Sequence, residues 1–220
     1  MDLVIFDMDG VLVDSEIIAA RIATRALNQA GYQTDETDVL TRFLGISNVS
    51  MLKIVERDSG IRLTDAFLVD LRRDLLAAYE GELQAIPGVD AALGSLTARR
   101  CVASSSNPDR IGRSLELTGL SGHFGTDIFS ATMVENGKPA PDLFLYAATQ
   151  MGADPARCVV IEDSEAGVTG AKAAGMAVLG FTGGSHVTHH THAPKLSVAG
   201  ADRVFDDMSA LLGLIAEAAA

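Results

Sequence analysis

The chain alternates between short, largely apolar runs and longer amphipathic segments. Five runs are strand-sized: LVIF at 3–6, CVAS at 101–104, VVI at 159–161, AVLGF at 177–181 and RVF at 203–205. Runs this short, without polar alternation, suit strands of a parallel sheet covered on both faces. Helical patterns separate most of them. Asn107-Pro108 supplies an N-cap and a proline at the first helical position, and Gly119 closes that helix. Further helices are predicted at 142–151, before Gly152, and at 165–174, before Gly175. This alternation predicts an α/β fold with a doubly wound parallel sheet.

The alternation breaks once. From 15 to 83 no strand pattern occurs, and four helical stretches (15–30, 35–44, 48–59 and 64–80) end at Gly31, Gly45, Gly60 and Gly81. Residues 15–83 therefore read as a helical subdomain inserted into a core of residues 1–14 and 84–220, which resumes near Ile86-Pro87-Gly88. The segment GGSHVTHHTHAP, 183–194, carries His186, His189, His190 and His192. Four histidines could hold a soft metal, but no second ligand cluster closes a tetrahedral site, and the composition reads as a solvated loop. The tail LLGLIAEAAA reads as a fraying helix.

Composition narrows the function. A chain of 220 residues with 48% hydrophobic content supports a sizeable core. No apolar run reaches the length of a membrane span, and a net charge of −12 offers no basic footprint for nucleic acid or anionic lipid. A small anionic substrate stays admissible where a metal and a lysine reverse the local sign. Cys101 and Cys158 each open an apolar run and read as buried small hydrophobes in a reducing compartment. No leader-like segment precedes the first strand, so a cytoplasmic location is expected. The charge and the lack of a long exposed apolar run predict a monomer.

Ligands of open α/β sheets bind at the carboxyl ends of the strands. The first strand delivers Asp7 and Asp9, two apart and so on one face, followed by Gly10. The CVAS strand delivers Ser104, followed by Ser105, Ser106 and Asn107. GKPAPD brings Lys138, and VVI delivers Glu162, Asp163 and Ser164. Clustered carboxylates form a hard oxygen site suited to Mg²⁺. Hydroxyls and free N–H groups ahead of a helix suit a phosphate, and a lysine offsets charge on a transferring phosphoryl group. Asp14 and Glu16 fall at the start of the first inserted helix, where acids favour the helix dipole and a capping or hinge role is expected.

The order Asp-x-Asp-Gly-Val (7–11), Ser104, Lys138-Pro139 and Glu162-Asp163 resembles the four motifs of the haloacid dehalogenase superfamily, along the whole chain. The insertion is similar to the helical cap of the branch containing β-phosphoglucomutase and many sugar-phosphate phosphatases. The resemblance implies that Asp7 is the nucleophile of an aspartyl-phosphate and that Asp9 protonates the leaving oxygen, then activates water. It implies Mg²⁺ on Asp7, the Asp9 carbonyl and Asp163, with Glu162 direct or through water. Gly10, Ser104, Ser105 and Lys138 would hold the phosphoryl group.

A dehalogenase needs no acid at position 9. A mutase of this branch carries a cap histidine and a cap arginine, at positions that here hold Ala19 and Asn48. The expected activity is therefore Mg²⁺-dependent hydrolysis of a small phosphorylated metabolite, a sugar or sugar-acid phosphate, with a β-phosphoglucomutase-type mutase as the alternative. LVDSE (12–16), RFLG (42–45), ELQAIPG (82–88) and CVAS are similar to runs in bacterial 6-phosphogluconate phosphatases. Arg42, Asn48, Arg72 and Arg73 are the candidate cap contacts to substrate. A phosphorylatable or catalytically silent regulatory binding protein is the alternative of another class; receiver-like modules are shorter and lack such an insertion.

Overall fold

The computed structural model describes residues 1–43, 45–187 and 189–218. Leu44 and the last two alanines, at the ends of expected helices, and the side chains of His189 and His190, lie outside the described residues. The first strand, β1 (Leu3–Phe6), leads into helices α1 (Glu16–Gln29), α2 (Glu36–Phe43), α3 (Asn48–Ser59) and α4 (Asp65–Glu82). There follow α5 (Val89–Ser95), β2 (Arg99–Ser104), α6 (Pro108–Leu117), β3 (Ile128–Ser130) and α7 (Asp142–Gln150). The chain ends with β4 (Cys158–Glu162), α8 (Glu165–Ala173), β5 (Ala177–Phe181), α9 (His189–Ala199), β6 (Arg203–Phe205) and α10 (Leu211–Ala218).

The strands make one parallel sheet in the order β3-β2-β1-β4-β5-β6. Leu3–Phe6 is in register with Arg99–Val102 on one side and with Cys158–Ile161 on the other, so the carboxyl ends of β1, β2 and β4 share one rim. The strand order reverses between β1 and β4, and at such a switch point the connections diverge and leave a crevice.

Both faces of the sheet are covered, which is why its strands read as unbroken apolar runs. Val4 and Phe6 point into one apolar layer with Leu93 of α5, Ile111 of α6 and Leu211 of α10. Leu3 and Ile5 point into the other, with Phe144 of α7, Val168 of α8 and Leu196 of α9. A third cluster, including Leu27, Val39, Phe43, Val55 and Leu71, lies within α1 to α4. That helical insertion is seated on the rim. Ser105 Oγ donates to the Gly45 carbonyl at 3.0 Å, and a Cβ on Gly45 (φ +75°) would run into the Ser164 side chain.

Three elements depart from the sequence pattern. The edge strand β3 has three residues, too few to show a period. The short α5 was hidden within the core's return after Gly88. The third, α9, starts at His189 and takes in the second half of the histidine segment expected to be a loop, with Pro194 inside it. Tertiary packing overrides local propensity there: Leu196 is fully buried, and a Cβ on Gly180 of β5 would come within 3.1 Å of its Cδ1. Cys101 and Cys158 are buried free thiols on β2 and β4. Burial raises both pKa values, that of Cys158 to about 11, so neither is poised as a nucleophile.

The junction of β4 and α8 sets a packing limit. Glu162 is fully buried, and its Oε2 accepts the Ser164 N–H and Oγ at 2.8 and 2.9 Å. Ser164 Oγ in turn accepts the Gly167 N–H at 3.0 Å and caps α8. A Cβ on Gly167 would overlap the Glu162 carboxylate. Propensity favours alanine over glycine in a helix by about 1 kcal/mol, whereas overpacking against a locked group costs about 1–3 kcal/mol. Gly167→Ala is therefore expected to lower stability by up to about 2 kcal/mol in urea unfolding, and a stabilised variant would refute this account of the junction.

Candidate active site

Beyond β1, the Asp7 N–H donates to the Ile161 carbonyl at 3.0 Å and prolongs the ladder toward β4 by one residue. The Met8 carbonyl then accepts from Leu12 and Val13 at 2.9 and 3.1 Å, winding the chain into a tight loop. Asp9 therefore reaches the site from a turn and not from the strand face shared with Asp7. Gly10 permits the turn on two grounds: its φ is +77°, and a Cβ would collide with the Asp163 carboxylate.

Lys138 lies between acids. Its ammonium donates to Asp7 Oδ1 and, at 2.5 Å, to Glu162 Oε1, and it stands 5.2 Å from the Phe144 ring centroid. Burial alone would lower the lysine pKa, but Asp7 and Glu162 outweigh it and hold the group above its ordinary value. Asp7 is pushed well above the carboxylate range, first by burial and then by Glu162, Asp163 and Asp9, with Lys138 opposing. Asp163 is raised by burial and by Glu162.

Asp163 Oδ2 is buried without a hydrogen-bond partner among the described residues. His186 Nε2 lies 3.1 Å from it, on a side chain only 2% exposed, and burial lowers the histidine pKa. His192 Nε2 donates to the Asp163 carbonyl. The segment expected as a solvated loop thus closes over the acid cluster, because it follows β5 on the same rim. Asp14, at the expected hinge, accepts the Ser185 N–H and Oγ at 3.0 and 2.9 Å and so anchors that segment.

The donor chemistry fits a hard dication. Asp7 and Asp163 offer oxygen ligands in a cluster with excess negative charge, and Asp163 Oδ2 is left unsatisfied. The donors are not gathered into a closed cage: no group of three or more His, Cys, Asp or Glu side chains converges in that way among the described residues. Glu162, expected to hold Mg²⁺ directly or through water, accepts from Lys138 on one oxygen and from Ser164 on the other.

Asp9 has its own set of partners. Oδ1 accepts from Ser15 Oγ and from Arg110 Nη2, both at 2.6 Å, and Oδ2 accepts from Ser106 Oγ at 2.7 Å. Arg110 Nη2 also donates to the Tyr79 hydroxyl at 2.8 Å. Sequence reasoning missed both Arg110 and Tyr79. Arg110 stands three residues beyond the N-cap Asn107, in the first turn of the helix that follows Ser104, so the helix-start signal could have revealed it. Tyr79 lies in the last turn of α4, outside every motif, and has no such signal.

A cavity of about 340 Å³ separates the rim from the insertion. Asp7, Asp9, Ser104 and Ser105 floor it, and Asn48 and Arg72 reach it from the insertion. Val39, Phe43, Met51 and Leu71 give its far wall an apolar character. Arg42 and Arg73 do not line it. Arg42 is held by Tyr32, Asp38 and Asp58, and Arg73 by Asp70 and Asp74, acids mostly close to them in sequence. Glu16 lines the cavity, and burial together with Asp9 and Asp163 pushes its carboxyl up to about 8.

A family model of haloacid dehalogenase-like hydrolases matches residues 1–175. The 6-phosphogluconate phosphatase of Escherichia coli is 32% identical over 206 residues, covering 89% of this chain and 93% of that protein. A haloacid dehalogenase-like protein of unknown function from Agrobacterium tumefaciens superposes with a TM-score of 0.84 at 42% identity, over 100% of both chains. A hydrolase of the same family from Deinococcus radiodurans, solved with phosphate and sodium bound, gives 0.74 at 35% identity, over 99% of this chain and 96% of that one. The strand order, the acid rim and these likenesses agree: the chain belongs to the haloacid dehalogenase-like hydrolases.

Proposed function

We propose that the protein is a Mg²⁺-dependent phosphatase of a small phosphorylated metabolite, a sugar or sugar-acid phosphate, working through an aspartyl-phosphate. The observation that carries this reading is Lys138 buried between Asp7 and Glu162 at the switch point, beside the unsatisfied oxygen of Asp163. The 6-phosphogluconate phosphatase of E. coli supports the substrate class. Residues 15–83 would act as a cap over the core of residues 1–14 and 84–220.

In the first step a carboxylate oxygen of Asp7 bonds to phosphorus while the bond to the leaving oxygen breaks, and Asp9 gives that oxygen its proton. In the second, water attacks phosphorus, Asp9 takes back a proton, and Asp7 and inorganic phosphate separate. Lys138 and Ser104 would hold the phosphoryl oxygens. Asp7, Asp163 and the Asp9 carbonyl would hold Mg²⁺, which when bound offsets charge on the phosphoryl group. Hydrolysis is preferred to mutase chemistry because the branch's histidine and arginine positions hold Ala19 and Asn48, and both residues line the cavity.

Two outcomes test this. Asp7→Asn is expected to lower kcat on p-nitrophenyl phosphate by about 10⁴-fold or more, and near wild-type turnover would remove Asp7 as nucleophile. Mg²⁺ at a hundred times its Kd should raise Tm of the EDTA-treated protein by roughly 5–10 °C, from about 2.7 kcal/mol of binding linkage. Asp163→Asn should abolish most of that shift; a shift of equal size in the variant would place the cation elsewhere.

A further inference from the structure

We propose that Arg110 positions the Asp9 carboxyl for proton transfer to the leaving group and couples that orientation to the seating of α4. The inference rests on Asp9 being the proton donor. One nitrogen, Nη2, serves both Asp9 Oδ1 at 2.6 Å and the Tyr79 hydroxyl at 2.8 Å. The guanidinium carbon lies 5.5 Å from the Tyr79 ring centroid, and Tyr79 is buried. Three segments distant in sequence meet there: the loop after β1, the last inserted helix and the first turn of α6.

The carboxyl of Asp9 has little freedom. Arg110 and Ser15 share one oxygen and Ser106 holds the other, so rotating the group breaks a hydrogen bond. Of the three donors, Arg110 alone carries charge, and through Tyr79 it also contacts α4. A shift of α4 relative to the rim would pull on Tyr79, then on Nη2, and so on the Asp9 carboxyl. Arg110 Nη2 gives both its protons to protein partners, whereas Nε is buried without a partner among the described residues and the side chain lines the cavity, so the experiment separates positioning from substrate capture.

Leaving-group dependence tests the assignment. The rate of leaving-group release in a single turnover is measured for 2,4-dinitrophenyl phosphate, whose phenolate departs unprotonated, and for 6-phosphogluconate, whose alkoxide does not. Asp9→Asn is the reference and should slow only the second substrate strongly. Arg110→Ala is expected to slow 6-phosphogluconate by roughly 10²-fold and dinitrophenyl phosphate by no more than about threefold. Tyr79→Phe should give a smaller loss with the same selectivity. Arg110→Lys, which keeps the charge, should recover part of the rate, and it carries the same comparison if the alanine variant does not fold.

Equal losses on both substrates would mean that Arg110 only maintains structure and would overturn the proposal. Weaker binding of 6-phosphogluconate with an unchanged release rate would make Arg110 a substrate contact and overturn it equally. If Asp9→Asn itself shows no selectivity, the proton-donor reading fails first, and the inference falls with it.

Discussion

The constraint on which the structure depends is a buried excess of carboxylates at one end of a sheet that cannot relax. β1 and β4 are hydrogen-bonded neighbours in fixed register, so Asp7 and the Glu162-Asp163 pair are forced together wherever the strands end. Burying unpaired charge is costly, and removing one partner of a buried ion pair commonly costs about 3–5 kcal/mol. Among the described residues Lys138 and Arg110 pair with Asp7, Glu162 and Asp9, and Asp163 Oδ2 keeps no hydrogen-bond partner. On the proposed reading a bound dication would offset the remaining charge.

The two cations divide the acids between them. Lys138, reaching in before α7, pairs with Asp7 and Glu162; Arg110, from α6, pairs with Asp9. Each is supported by an aromatic ring, Phe144 under the lysine and Tyr79 under the arginine. Two carboxylates two residues apart thereby acquire different surroundings, which is how neighbouring acids come to serve different roles in one reaction. Close packing enforces the division. Gly10 and Gly167 each lie against a carboxylate, and neither leaves room for a methyl group that would push that carboxylate off its partner.

Much of this was legible in the sequence, for physical reasons that also mark where legibility ended. A strand buried on both faces must be apolar throughout, so β1, β2, β4 and β5 announced themselves, and the polar residues following them marked the rim. The edge strand β3 is too short to carry a period, and α9 is held by Leu196 against β5 and not by its own residues. Asp7, Ser104, Lys138 and Asp163 could be named because each stands at a strand end or in a short motif. Arg110, Tyr79 and His186 became visible only once distant segments were brought together. Arg42 and Arg73 show the converse: charge alone does not reveal which acids already hold a cation, and neither residue lines the cavity.

The cavity separates reaction from recognition. Its floor is polar and belongs to the core, while its far wall is largely apolar and belongs to the insertion, with Asn48 and Arg72 among its few polar groups. An apolar wall gives a polyol no compensation for the water it loses, so selectivity among hydroxylated substrates falls on those few polar side chains. Their placement depends on how the insertion sits, and that seat is fixed at Gly45 against Ser105 and Ser164 and at Tyr79 against Arg110. The second contact runs on to Asp9. On the proposed mechanism, a substrate that seats the insertion well would therefore also set the geometry of Asp9, and recognition in the insertion would be felt at the reacting oxygen without any of its residues having to touch it.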